Sequence, residues 1–229
     1  MYDARIVGVR QHISYQRARC GNELVHGASA LPSRPTYLSR PETDRAQGFA
    51  MTKLANGLSS AGQHADALTV QEAELSMRRR IGASEYGILV AQGNLATTYG
   101  QLGNLEKSLS IQRDVYSGRL KLQGEEHQET LLAANNLSTS LIGLRRFEET
   151  KSLLRKTMPV ARRVLGEGYD TTLRMRWCYA MALFFDDGAT LADLREAVET
   201  LEETERTARR VLGGAHPFTA GIADSLRNA

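Results

Sequence analysis

Apolar positions along most of the chain recur with the spacing of one helix face, and the whole pattern returns after about 42 residues. Leu95, Ala96, Tyr99 and Leu102 lie at i, i+1, i+4 and i+7, which places them on one side of an α-helix. After a turn at Gly103, apolar residues continue with helical spacing to about residue 120. Each period therefore predicts two amphipathic helices that are joined by a tight turn.

Two sets of anchors define the repeat. The segment Leu95–Leu109 resembles Leu54–Leu68 earlier in the chain and Leu137–Thr150 later, at offsets of 41 and 42 residues. The second anchor, an apolar residue shortly before a glycine, closes each second helix at Ile81-Gly82, Leu122-Gln123-Gly124, Val164-Leu165-Gly166 and Val211-Leu212-Gly213. The last interval is 47 residues, which indicates a five-residue insertion around Asp186–Thr190.

These units predict an all-α solenoid, because a single pair of short helices cannot bury its apolar face whereas stacked pairs bury it jointly. We expect about four antiparallel helix pairs and the start of a further helix near Pro217. The predicted units are about 47–86, 87–127, 128–169, 170–216 and 217–229. Small residues should let paired helices approach closely, namely Ala55, Ala96 and Ser138 in the first helices and Ala67, Ser108 and Thr150 in the second.

The anchors also indicate which kind of solenoid this is. A period of 42 residues falls in the HEAT and armadillo range, whereas the order of small and large residues from Leu95 to Ser108 is typical of tetratricopeptide repeats. We follow the anchors, because they encode the packing and the extra length fits in a longer second helix. The predicted fold class is therefore a right-handed, tetratricopeptide-like α-solenoid.

The repeats resemble those of kinesin light chains over about residues 50–227. The residues that carry the resemblance are Asn94-Leu95-Ala96, Tyr99, Leu102–Glu106, Gly124–Leu131, Asn135-Asn136-Leu137, Arg163–Gly166 and Leu212–Pro217. Kinesin light chains resemble one another in an N-terminal heptad coiled coil that binds the motor heavy chain, and residues 1–45 carry no heptad run. The resemblance therefore implies a cargo-binding or adaptor scaffold and leaves binding to the kinesin heavy chain open.

In tetratricopeptide arrays the first helix of each pair lines a concave groove, so the positions opposite the packing anchors are candidate contacts for a peptide. They are Lys53, Asn56, Asn94, Thr97, Gln101, Asn136, Thr139 and Arg174. Asparagine offers both a donor and an acceptor, so a ladder of Asn94 and Asn136 suits the backbone of an extended peptide. Lys53 and Arg174 suit acidic side chains. The resemblance implies the same use, with short acidic or aromatic peptides as ligands; the alternative is a merely solvated helix face.

The basic surplus of the chain lies outside the repeats. Residues 1–45 hold seven of the 29 Lys and Arg and four of the 26 Asp and Glu, so residues 46–229 hold 22 of each. The net charge of +3 therefore belongs to a leader whose Ser-, Pro- and Arg-rich part, residues 27–45, predicts disorder. Nucleic-acid binding through this leader is the second hypothesis for the function. A regulatory repeat fragment of a larger signalling protein is the third.

No pattern of catalytic or metal-binding residues accompanies the repeats. The sequence has no nucleophile elbow, phosphate-binding loop or ordered Ser/His/Asp set. His127 and His216 lie in equivalent turns, and Asp186-Asp187-Gly188 lacks the closing glutamate of a calcium loop. The arginine runs end second helices, where cations complement the helix dipole. The sequence thus predicts a non-enzymatic protein-binding scaffold without cofactor, metal or membrane contact, and its neutral repeats disfavour nucleic acid.

Cysteine content bears on the compartment. Cys20 and Cys178 are the only cysteines, which favours a reducing environment, and we expect the cytoplasm. An organelle transit peptide within residues 1–25 is the alternative, because this segment is rich in arginine.

Overall fold

The computed structural model describes residues 41–227, with side chains from residue 46 onward. Within that range the chain forms helices and turns and no strand. The helices are α1 (Pro41–Ser60), α2 (His64–Arg80), α3 (Glu85–Gln101), α4 (Leu105–Gln123), α5 (Gln128–Gly143), α6 (Phe147–Leu165), α7 (Asp170–Phe184), α8 (Leu191–Leu212) and α9 (Pro217–Arg227). The predictions made for residues 1–40, as part of the leader, lie outside the described residues. Residues 41–45, which the sequence analysis placed in the disordered leader, are helical instead, because α1 begins at Pro41.

The helices stack as successive antiparallel pairs, α1–α2, α3–α4, α5–α6 and α7–α8, and α9 packs against α8. The first helices of neighbouring pairs also contact one another, in the order α1–α3, α3–α5 and α5–α7. The second helices α2, α4, α6 and α8 do not meet one another as closely, so they form the outer layer of a curved array. The prediction of a tetratricopeptide-like α-solenoid with a further helix at Pro217 is confirmed.

Small residues occupy equivalent buried positions in the two helices of each pair. Ala96 of α3 and Ser108 of α4 are buried, as are their counterparts in the first and third pairs: Ala55, Ala67, Ser138 and Thr150. Ala180 and Ala197 take these positions in the fourth pair and are fully buried. A larger side chain at any of these points would push the two helix axes apart. The predicted residues are thus buried, as a close approach of the paired helices requires, and the approach itself stays a prediction.

In the first three pairs, the turn between the two helices contains one residue with a positive φ. Gly62 and Gly103 supply it in the first two pairs, with φ of 78° and 82°, and Arg145 supplies it in the third, with φ of 58°. The Arg145 N–H donates to the carbonyl oxygen of Ile142, and the next N–H donates to that of Leu141, both at 2.9 Å. A non-glycine residue therefore occupies a helix end that favours glycine.

Replacing Arg145 by glycine should stabilise the protein. The left-handed conformation costs a residue with a Cβ atom roughly 1–2 kcal/mol, and we expect Arg145→Gly to raise the free energy of unfolding by about 1 kcal/mol. Arg145→Ala is the matched control, because it keeps the strained backbone and removes the side chain. Urea denaturation followed by circular dichroism measures both variants; a lower stability for the glycine variant than for alanine would contradict this account of the turn.

The interior of the array is more polar at its N-terminal end. Gln71 of α2 and Gln112 of α4 are buried at the position that Leu154 takes in α6 and Leu201 in α8. Neither polar atom of the Gln112 amide has a hydrogen-bond partner among the described residues, and the Gln71 amide oxygen lacks one as well. The large apolar cluster lies instead where α5 to α9 meet. The first two pairs therefore depend on a core that is interrupted by amides.

Replacing Gln112 by leucine should stabilise the array. A buried polar group without a hydrogen bond costs about 1–3 kcal/mol, and the repeats themselves show that leucine fits this position. We therefore expect Gln112→Leu to raise the free energy of unfolding by about 1–3 kcal/mol, measured by urea denaturation. The reciprocal change, Leu154→Gln, should lower it. Equal or lower stability for Gln112→Leu would mean that water or an altered packing already satisfies the amide.

The predicted insertion around Asp186–Thr190 joins α7 to α8 and is fastened to the neighbouring pair. Lys151 Nζ lies 2.6 Å from Asp186 Oδ2, and Arg145 contacts both carboxylate oxygens of Asp187 at 2.9 and 3.0 Å. The hydrogen bond from Lys151 holds the pKa of Asp186 below its usual value. These carboxylates therefore serve as ion-pair partners of α6 and of the turn before it.

Candidate functional site

The first helix α5 leaves one line of positions open to solvent while its other sides pack. In α5, beyond its first turn, the positions that are not buried are Leu132, Asn136, Thr139 and Gly143. They follow i, i+4, i+7 and i+11, so they form one helix face. Because the first helices form the inner layer, the equivalent faces of α1, α3, α5 and α7 line the concave side. We call this surface the groove.

The repeat offsets arrange the groove residues in four rows that run across the helices. Row 1 is Phe49, Val90, Leu132 and Arg174; row 2 is Lys53, Asn94, Asn136 and Cys178; row 3 is Asn56, Thr97, Thr139 and Met181; row 4 is Ser60, Gln101, Gly143 and Phe185. The structure thus brings the predicted contacts of α1, α3 and α5 together in rows 2 to 4. Arg174 lies one helix turn away from the asparagine row, in row 1.

The polar side chains of the groove differ in whether a hydrogen bond within the chain already engages them. Asn94 and Asn136 are half-buried, and no hydrogen bond within the described part of the chain engages either amide. By contrast, the hydroxyls of Thr97 and Thr139 donate to the carbonyl oxygens four residues earlier, at 3.1 and 3.0 Å. The Gln101 amide oxygen accepts a hydrogen bond of 2.9 Å from Ser59 and so links α3 to α1. Asn94 and Asn136 are therefore equivalent groove amides in neighbouring repeats whose donors and acceptors stay free within the described residues, as do those of Asn56 in row 3.

Row 1 carries apolar side chains that the sequence analysis missed. Phe49 is 63% exposed and Leu132 37% exposed, and Val90 is partly buried between them. Lys53 Nζ lies 5.3 Å from the centroid of the Phe49 ring. Counting back from Arg174 in steps of 42, 42 and 41 residues finds this row in the sequence. The groove therefore presents an apolar row beside a polar one.

The groove closes at the fourth first helix. Cys178 and Met181 are buried, although they take the positions of Asn136 and Thr139 one repeat earlier. The Cys178 Sγ lies 3.9 Å from the Thr139 hydroxyl, so α5 covers one side of α7. On its other side, α7 contacts α9 through a 3.3 Å hydrogen bond from the Trp177 indole to the Ser225 hydroxyl. The open groove therefore runs over α1, α3 and α5.

Arg174 stands at this closed end and is held in place. Its Nε lies 2.6 Å from Asp170 Oδ2, and its guanidinium lies 5.1 Å from the centroid of the Phe218 ring of α9. The side chain retains one fifth of its exposure. A ligand that reaches Arg174 therefore meets a positive charge that Asp170 already balances in part, so its charge contributes less than that of the exposed Lys53.

Each arginine run at the end of a second helix contributes at least one ion pair. Arg162 contacts Glu167 at 2.6 Å, and Arg163 contacts Glu126 of the preceding inter-repeat turn at 2.7 Å. Arg78 pairs with the buried Glu74 at 2.7 Å. These ion pairs support the interpretation that the arginine runs stabilise the array, since the paired charges are neutralised within it. Over residues 41–227, no group of three potential metal ligands occurs, and no helix is long and apolar enough to cross a membrane.

Thiol reactivity tests whether the groove closes at α7. In a Cys20→Ser background, we expect the buried Cys178 to react with an aromatic disulfide reagent at least about tenfold more slowly than a cysteine at the equivalent open position, Asn136→Cys. Asn104→Cys, in the exposed turn before α4, gives the rate for a freely accessible thiol. Equal rates for Cys178 and Asn136→Cys in the folded protein would show that the groove continues over α7.

Comparisons with known proteins agree with this architecture. Residues 88–129 and 130–168 match the tetratricopeptide-repeat family. Two crystal structures of kinesin light chain nearly identical TPR-like repeats from Podosopora anserina superpose with TM-scores of 0.66 and 0.65 at 21% identity, over 84% and 83% of this chain and 87% of theirs. BtubC (BKLC) from P. vanneervenii gives 0.50 at 14% identity, over 82% and 85%. No curated protein matches the chain in sequence.

Proposed function

We propose that this chain, a tetratricopeptide-repeat protein with a solenoid of the kinesin light chain type, is a non-enzymatic scaffold that binds a peptide segment of a partner protein in the groove. The observation that carries the proposal is the pair of equivalent asparagines, Asn94 and Asn136. Both belong to the inner layer, and their amides have no hydrogen bond within the described chain. Such amides can bond to the N–H and C=O groups of any peptide backbone.

The spacing of the helices suits an extended peptide. Packed helices lie about 8–10 Å apart, and an extended chain advances about 3.3 Å per residue. Asn94 on α3 and Asn136 on α5 would therefore hold backbone groups about three residues apart. A peptide that crosses α1, α3 and α5 in this way needs no particular side chains for its backbone contacts. Its specificity then depends on the rows beside the asparagines.

The neighbouring side chains favour a ligand with apolar or aromatic and acidic residues. Phe49, Val90 and Leu132 form an apolar row with exposed surface, which an aromatic or aliphatic side chain would cover. Lys53 is exposed in row 2 beside Asn94 and would attract a carboxylate. We therefore propose short acidic or aromatic segments as the ligand class. The narrower proposal for the role of the scaffold is cargo recognition like that of kinesin light chains.

Peptide binding by the asparagine variants tests the proposal. Peptides selected on the full chain from a displayed random library would be titrated by fluorescence anisotropy. Each of Asn94→Ala and Asn136→Ala removes one or two hydrogen bonds of about 1 kcal/mol, so we expect each to weaken binding roughly 5- to 30-fold. Asn104→Ala is the control, because Asn104 is exposed in a turn, away from the groove, and its side chain caps no helix.

The outcome that would remove the groove assignment is equally specific. Affinities that stay within the error of the unaltered chain for both groove variants would place the peptide elsewhere. If binding is instead lost on deleting residues 1–40 and survives in both asparagine variants, the leader carries the interaction.

A further inference from the structure

The first described helix exposes a face whose equivalents in the later repeats are buried or partly buried. We call it the leading face; it consists of Gln47, Ala50, Leu54 and Gly57 on α1, and all four residues are exposed. Leu54 is 56% exposed, whereas Leu95 and Leu137, its equivalents in α3 and α5, are 5% and 6% exposed. A leucine at the same repeat position is therefore part of the core in α3 and α5 and part of the surface in α1.

The other positions of the leading face show the same contrast. The equivalents of Ala50 are Ala91, Ala133 and Met175, and those of Gly57 are Thr98, Ser140 and Ala182; all six are buried. A Cβ atom built on Gly57 meets no atom of the described chain within 4 Å. In α3 the corresponding face is covered by the preceding pair, where Leu95 and Ala91 pack with Leu75 of α2. Within residues 41–227, nothing covers this face of α1.

From residue 46 onward, the composition of α1 does not suit a terminal surface. Solenoids ordinarily end in a repeat with a polar outer face. From residue 46 to residue 60, α1 carries one charged side chain, Lys53. That lysine belongs to row 2 of the groove, so the leading face itself is uncharged. An uncharged face with Leu54 at its centre is expected to bind an apolar helix.

We propose that the leading face of a second copy of this chain covers it, with α1 packed antiparallel against α1 around a two-fold axis near Leu54. Such a contact must be self-complementary. Ala50 and Gly57 lie one turn before and one turn after Leu54, so the leucine of each copy finds the small residues of the other on both sides. The uncharged face also avoids the like-charge repulsion that a two-fold contact between charged faces produces.

A second copy suits this face better than the chain's own preceding segment. The faces of α3, α5 and α7 are covered by helices, and α1 of another copy supplies a helix with the same pattern. Residues 27–40, which directly precede α1, contain Gly27, Pro32 and Pro35 and show no helical periodicity, so the sequence predicts a linker there. Row 2 lies about 100° around α1 from Leu54 and row 3 farther still, so the dimer leaves both grooves open. It would present two peptide sites and gain avidity for a partner with two segments.

The oligomeric state of the full chain tests the inference. Light scattering after size exclusion should give twice the mass of one chain, and dilution should dissociate the dimer. Leu54→Glu places two carboxylates at the axis, so we expect it to weaken dimerisation at least about tenfold while the far-ultraviolet circular dichroism stays unchanged. Ala50→Glu is a second variant with the same expectation. Leu191→Glu is the control, because Leu191 is equally exposed, at the start of α8.

Crosslinking locates the contact. In a Cys20→Ser background, Leu54→Cys should form an intermolecular disulfide under mild oxidation, and Leu191→Cys should not. A chain that stays monomeric at all concentrations overturns the proposal. A monomer in which Leu54→Glu lowers the melting temperature also overturns it, since the leading face would then be covered within one chain. A dimer that Leu54→Glu and Ala50→Glu leave intact places the contact elsewhere. Peptide binding in the groove is measured separately and is unaffected by these outcomes.

Discussion

The whole array depends on how closely the two helices of each pair cross. Ala96 and Ser108 are buried in the second pair, and residues no larger than threonine are buried at the equivalent positions of the other pairs. Because these side chains are small, the backbones approach closely and the larger apolar residues on either side interlock with the next pair. Repetition of that contact builds two layers, and the inner layer determines which side of each first helix stays open. The groove therefore follows from the crossing, although no groove residue takes part in it.

The groove and the leading face both lie in the N-terminal half of the array, where the core contains more polar residues. The groove is open over α1 to α5, and the leading face belongs to α1. Gln71 and Gln112 interrupt the core beneath this half, whereas Leu154 and Leu201 complete it in the other. Local opening costs least where few apolar contacts are lost. The N-terminal pairs are therefore the ones expected to adjust when a ligand binds.

The sequence was sufficient for features that recur and insufficient for those that depend on position in the array. Repeated anchors predicted the helix pairs, the buried crossing residues, the turns and the insertion at Asp186, because the same local packing generates each of them. They could not show that Cys178 is buried where Asn136 is open, because α9 and α5 close the groove around α7. The repeat position of Leu54 predicts a core residue, yet no described helix precedes α1 to cover it. Arg174 was grouped with the asparagines, although its register places it with Leu132.

The central claim is that the inner layer binds peptide through Asn94 and Asn136. The most direct test is a nitrogen-15 NMR titration of the labelled chain with a selected peptide, in which the side-chain amide signals of these asparagines are assigned by substitution. The account predicts that both signals shift with saturation at the affinity measured in solution, together with backbone signals of α1, α3 and α5. Shifts confined to the outer helices α2, α4 and α6, with both asparagine signals unmoved, would contradict it.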